Sequence, residues 1–166
     1  MKNDFKRLKE RFPLLEMTSL PTVIPKEIFI YGEAIDKEIL EYCKSEVDIR
    51  KNSIYILGIY PSSFPKQELV IEDFKQKIDW SKIPLEHRHI NTYKNGRKVL
   101  CTHHPNGEIN ELAIEKRSIA IIDSAWRLFI QYKRYLSIRV WTLKDLPHGE
   151  NADKLLKKGL NTKIGS

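Results

Sequence analysis

Cysteine is scarce: only Cys43 and Cys101 occur in 166 residues. Two thiols behind an N-terminus with no leader-like pattern predict a reducing, cytoplasmic setting, where no bridge forms and a thiol stays available. No apolar run is long enough to cross a bilayer, which argues against membrane insertion. Cys-x-x-Cys and His-Glu-x-x-His are both missing, and with them the usual zinc spacings; the local signatures of cysteine peptidases are missing too. There is no internal repeat and no low-complexity tract. No helical comb of arginines and no interleaving of basic and aromatic residues accompanies the positive charge, which argues against a nucleic-acid partner.

What is present suits one globular domain. The chain is 41% hydrophobic and 31% charged, and long enough to bury a core without disulfides. Its formal charge of +7 favours association with an anionic or acidic surface but names no partner. Much of the excess lies at the ends, in Lys2, Lys6, Arg7, Lys9 and Arg11 and in Lys154, Lys157, Lys158 and Lys163. The simplest reading is solvated helix faces plus a basic tail. The expected division is a domain over residues 1–150 and a basic C-terminal helix or tail over 151–166.

Periodicity predicts an α+β order. Phe5, Leu8, Phe12 and Leu15 recur at helical spacing after a cap at Asn3 or Asp4, with Pro13 stopping the helix near Phe12 and residues 18–25 forming a connector. Residues 28–32 form a short strand, and Ile39, Leu40, Cys43 and Val47 line one side of a helical turn, which makes Cys43 a core residue. Residues 53–60 form a strand apolar on both faces and ended by Pro61; residues 68–71 form another. A polar connection over 73–85 is anchored by Trp80. The stretch from His87 is extended, turns at Asn95-Gly96 and returns as a strand over 98–100. The longest helix starts at Asn110 or Glu111 and runs to about Tyr135, followed by a short strand over 138–141.

Cys101 carries the most information. It ends the apolar pair Val99-Leu100 and precedes Thr102-His103-His104-Pro105-Asn106-Gly107. A thiol where a strand gives way to a polar loop is exposed enough to react, and neighbouring imidazoles help form the nucleophilic thiolate. The competing reading is a small apolar residue buried at a strand end. Three chemistries fit a reactive thiol. His87 and His89, on one side of an extended segment, join Cys101, His103 or His104 around zinc. Alternatively, Cys101 and a histidine form a hydrolytic pair, although such a cysteine usually starts a helix and a turn-rich segment separates Cys101 from the long one. In the third chemistry the sulfur holds an acyl group as a thioester and hands it to an amine. That needs an accessible sulfur, an amide or backbone donor for the oxyanion, and a surface that delivers the amine.

The order of a helix, a meander of strands, Tyr60-Pro61 with Phe64-Pro65, then His89-Ile90-Asn91, Asn95-Gly96, Leu100-Cys101 and a long helix resembles the ubiquitin-conjugating enzyme fold. In that family a His-Pro-Asn triplet precedes the acyl-carrying cysteine, with which Cys101 aligns. His89 and Asn91 fall near the outer members of the triplet, and the resemblance makes Asn91 the oxyanion donor. Ile90 replaces the proline, the stretch from Asn91 to Cys101 is a little longer than in eukaryotic members, and a His104-Pro105-Asn106 string follows the nucleophile. Asn106 and a histidine of the pair His103-His104 are therefore rival helpers.

The sequence is more similar to divergent bacterial members, with a Leu-Cys-Thr-His-like run, a late tryptophan at Trp141 and the pair His148-Gly149. Such proteins occur in ubiquitin-like conjugation operons and in the short type II form of CBASS antiphage defence. The resemblance implies a thioester at Cys101, assistance from Asn91, His89 and His103, and no cofactor or metal. It implies as partner a ubiquitin-like protein or a nucleotidyltransferase synthase of the cGAS type, and an activating enzyme as a further possible partner. Asp73 and Asp79 are candidates for orienting the incoming lysine. A binding module that has lost transfer activity, and a cysteine hydrolase, are the alternatives.

Overall fold

The computed structural model describes residues 2–19, 28–61, 64, 69–92, 96, 98–102 and 112–143. Helix α1 (Lys2–Arg11) ends where Pro13 disfavours helical backbone at Phe12. Phe12 and Leu8 are fully buried. The chain then turns at once, with the Leu15 N–H donating to the Phe12 carbonyl at 3.2 Å, and enters β1 (Leu15–Ser19). The turn fits because Gly32 lies opposite it with φ +131°, and a Cβ there would stand 2.5 Å from the Leu14 carbonyl oxygen. Only glycine combines that backbone with that approach.

β2 (Ile28–Ala34), β3 (Ile54–Tyr60) and β4 (Val70–Asp73) complete an antiparallel meander in the order β1-β2-β3-β4. The register sets Ile30 against Gly58 and Gly32 against Ile56. One sheet face, carrying Ile30, Ile54, Ile56 and Ile71, packs into a core shared with α1 and with α4 (Ile114–Ile138). Along α4, Ile121, Ile122, Ala125, Leu128, Phe129 and Tyr132 are buried at helical spacing. α1 lies against α4, and Arg11 joins them: its Nε bonds Asp36 Oδ2 at 3.0 Å and its Nη2 bonds Asp123 Oδ1 at 2.6 Å.

Two short helices, α2 (Lys37–Leu40) and α3 (Glu46–Asn52), connect β2 to β3. The last carbonyls of α3 are satisfied from outside. Lys77 Nζ reaches Arg50 O and Ser53 O, each at 2.8 Å, Lys133 Nζ reaches Lys51 O at 2.6 Å, and Trp126 Nε1 donates to Asn52 O at 2.9 Å. Cations at a helix C-terminus are favourable, and the contacts from Trp126 and Lys133 dock α3 on α4. After β4, 3₁₀ turns at Trp80–Lys82 and Leu85–His87 lead to the hairpin of β5 (Ile90–Thr92) and β6 (Lys98–Leu100), and β6 runs alongside β4. No helix among the described residues is long and apolar enough to cross a membrane.

The N-terminal helix, antiparallel meander and long late helix match the expected α+β architecture. Several details differ. α1 is already helical at Lys2, so Asn3 and Asp4 sit in its first turn and are not its cap. Leu15 opens a strand that takes in Thr18 and Ser19, because the strand ladder to Gly32 outweighs its helical spacing from Phe12. The second apolar run forms a strand at Val70–Asp73, shifted from 68–71 by pairing with β3. α2 and α3 bury no residue; Val47 is 58% exposed and Cys43 is half-exposed in a turn, not in the core. No strand forms at 138–141: Ile138 ends α4, and Arg139 takes a left-handed backbone that turns the chain back. The proposed C-terminal helix or tail over 151–166 and the pair His148-Gly149 lie outside the described residues.

Candidate functional site

The β5–β6 hairpin presents Cys101. Ile90 pairs with Leu100, Asn91 with Val99 and Thr92 with Lys98. One residue beyond the ladder, the Cys101 N–H donates to the His89 carbonyl at 2.9 Å. Directly opposed residues of an antiparallel pair share a face, as do alternate residues of one strand. The register therefore sets His89, Asn91, Val99 and Cys101 on one face and Ile90 and Leu100 on the other. Leu100 is 5% exposed and belongs to the central core, which turns the next residue, Cys101, to the opposite face.

Asn91 and Cys101 are diagonal neighbours across this ladder, within reach of an amide side chain. Asn91 is exposed and Cys101 half-buried. Burial pushes the Cys101 thiol above its ordinary value, and the Asn91 hydrogen bond pulls it partly back by stabilising the thiolate. Neither cysteine is in a disulfide.

A three-residue ladder is marginal by itself, and its Cys101 face is braced from the far end of α4. His89, 8% exposed, lies nearly parallel to the Trp141 ring, at 14° and 6.0 Å between centroids. His87 stacks on the same indole at 7° and 5.5 Å, and Tyr135 meets it edge-on at 6.1 Å. Trp141 is held in turn by Gln131, a buried residue of α4. Gln131 Nε2 donates to Val140 O at 3.0 Å, and Gln131 Oε1 accepts from Thr142 Oγ1 at 2.8 Å. The Arg139 N–H donates to Tyr135 O at 2.9 Å, and its guanidinium sits 5.6 Å from the Tyr135 ring centroid.

Of the residues read from the sequence, Cys101, Asn91 and His89 come together. His103, like His104 and Asn106, lies outside the described residues. His87 belongs to a 3₁₀ turn and shares a stacking partner with His89; among the described residues, no group of three His, Cys, Asp or Glu side chains could hold a metal ion. Asp73 and Asp79 organise their own loops: Asp73 Oδ2 accepts the Ile78 N–H at 2.7 Å, and Asp79 Oδ1 accepts the Ser81 N–H and hydroxyl at 3.1 and 2.6 Å. Gln131 and the stacking role of Trp141 were not evident from the sequence. Their only local signal is a polar residue on the apolar face of a long helix. No protein-family model, curated protein or solved structure matches the chain.

Proposed function

We propose that this protein is a bacterial acyl carrier of the ubiquitin-conjugating type, in which Cys101 takes the C-terminal acyl group of a partner protein as a thioester and passes it to an amine. The observation that carries this reading is the β5–β6 register, which makes Asn91 the diagonal neighbour of Cys101 on one face of the hairpin, where its amide favours the thiolate. An amide beside the sulfur is where a donor is needed when the carbonyl carbon becomes tetrahedral and its oxygen takes up negative charge. The meander followed by a hairpin and a long helix agrees with the same reading.

In the first half-reaction the Cys101 thiolate attacks the carbonyl carbon of an activated C-terminus, an adenylate or thioester. The new C–S bond forms as the activating group leaves with its electron pair. In the second, a neutral amine attacks the thioester carbon, the C–S bond breaks, the amine loses a proton, and the thiolate is restored. Asn91 stabilises the oxyanion in both. His89 supplies the backbone carbonyl that fixes the Cys101 N–H, and His103 is a candidate to move the amine proton. A ubiquitin-like protein or a cGAS-type nucleotidyltransferase is the proposed donor, an activating enzyme the further partner, and antiphage defence the setting.

The test is intact-mass analysis of the full chain after co-expression with the proteins encoded beside it. The expected result is an adduct that hydroxylamine removes and that Cys101→Ala abolishes. Absence of a hydroxylamine-sensitive adduct, or its persistence in Cys101→Ala, overturns the carrier reading. If the function in cells survives Cys101→Ala, the same fold serves as a binding module.

A further inference from the structure

We infer that Trp141 and Gln131 are positioning residues for the Cys101 site: Gln131 clamps the chain after α4 so that Trp141 presses on His87 and His89 and holds β5 in register with β6. The inference rests on Cys101 being the reactive group proposed above, and it adds two residues remote in sequence that nothing in the hairpin specifies.

The physical need is plain. Three residue pairs do not hold a hairpin in one register, and a slip by one residue would send Asn91 to the other face from Cys101. The core fixes β6 through Leu100 and Val99, which are 5% and 4% exposed. β5 has no such anchor of its own, since Ile90 is half-buried and Asn91 and Thr92 are exposed. Its fixed point is His89, buried against Trp141 on one side and joined through its carbonyl to the Cys101 N–H.

Trp141 has little choice of position. The segment from Val140 to Thr142 is bonded at both ends to one side chain, whose oxygen and nitrogen are used in opposite senses. A glutamine 5% exposed on α4 is otherwise a costly residue to bury. Here both ends of its amide are satisfied by the strap that carries Trp141. The left-handed turn at Arg139, φ 58°, starts the strap in the right direction. The chain of contacts runs from Gln131 through Trp141 and His89 to the backbone of Cys101, and so to the geometry of the Asn91 hydrogen bond.

The test uses the full chain and the rate at which iodoacetamide modifies Cys101, followed by peptide mass from pH 6 to 11 (an assay range of roughly five pH units spanning ordinary thiol values). Trp141→Ala and Gln131→Leu are expected to move the midpoint of that profile upward, in the direction of Asn91→Ala, by up to roughly one pH unit. Trp141→Phe, which keeps an aromatic face, is expected to restore most of it. Combined with Asn91→Ala, Trp141→Ala is expected to add little, because both act on one hydrogen bond. A Trp141→Ala profile that overlays the parent while Asn91→Ala shifts overturns the inference; so does full additivity. Should Gln131→Leu fail to fold by circular dichroism, the comparison of Trp141→Ala with Trp141→Phe decides alone. The profile reads the thiol and not transfer, so a shift seen without any thioester adduct sinks the carrier and leaves the positioning role standing.

Discussion

Asn91→Ala removes a polar influence on the candidate nucleophile that comes from within its own hairpin. In the parent, burial raises the thiol and the Asn91 hydrogen bond opposes that rise. A hydrogen bond to a charged group contributes about 1.5–3 kcal/mol; Asn91 is exposed, so its share belongs at the lower end, about 1.5 kcal/mol. At 1.36 kcal/mol per unit, that displaces the thiol midpoint upward by roughly one pH unit. Below the midpoint the thiolate fraction falls about tenfold, but a more basic thiolate is also the better nucleophile, with a Brønsted slope of roughly 0.4–0.5. The observed alkylation rate at fixed pH should therefore drop only about threefold, while the midpoint moves by the whole unit. Iodoacetamide kinetics resolved at the Cys101 peptide separate the two effects. A profile for Asn91→Ala that superimposes on the parent in both midpoint and rate refutes the hydrogen bond and the oxyanion role built on it.

Other expectations concern the frame that carries the site. Arg11→Met leaves Asp36 and Asp123, whose side chains are 15% and 14% exposed, without their shared guanidinium. Because Arg11 is itself 40% exposed, the cost should fall below that of a broken buried pair, about 2 kcal/mol, or a Tm lower by about 4–8 °C by thermal melting. Gly32→Ala drives a Cβ against the Leu14 carbonyl in a left-handed backbone and should cost on the order of 3 kcal/mol or more in denaturant titration; a variant as stable as the parent would show that the α1–β1 turn is not as close as described. Burial raises the Asp73 carboxyl. Its favourable contribution is therefore complete below the unfolded carboxyl value and is lost as pH rises through the folded one. Asp73→Asn, which keeps an acceptor for the Ile78 N–H, should accordingly stabilise the chain at neutral pH and lose that advantage in acid. Equal urea midpoint differences at both pH values would contradict the burial of that carboxyl.

The parts of the fold legible in the sequence are those whose signal is local. Alternating and continuous apolar runs marked β2 and β3, Pro13 marked the end of α1, and the Asn95-Gly96 turn with its flanking apolar residues marked the hairpin that ends at Cys101. The errors fall where a distant partner decides. Leu15 has the spacing of a helix residue and yet lies in a strand, because Gly32 offers it a ladder and room. Residues 138–141 have strand-like side chains and no strand to pair with among the described residues; they form the end of a helix and a strap held by Gln131. Cys43 sits among apolar residues in sequence, but α2 and α3 bury none of them, and α3 is held through its carbonyls instead. At the site, Cys101, Asn91 and His89 could be grouped because one hairpin carries them. Trp141 could not be joined to them by spacing, since the contact depends on a non-glycine residue adopting φ 58°.

The same geometry bears on which kind of cysteine chemistry suits the site. A hydrolase benefits from a thiol driven toward its anion, since every turnover begins with attack and ends with release to water. In a carrier the thioester must outlast the search for an amine, and a thiol of higher basicity is the poorer leaving group, so its acyl bond is less readily lost. Burial at Cys101 moves the sulfur in that second direction. In the proposed carrier, Asn91 supplies help that does not require an ionised sulfur in the resting state: an N–H donor that strengthens as the carbonyl oxygen becomes an oxyanion. On the proposed reading, a half-buried thiol beside an amide side chain on a short hairpin is better matched to holding an acyl group than to cleaving one.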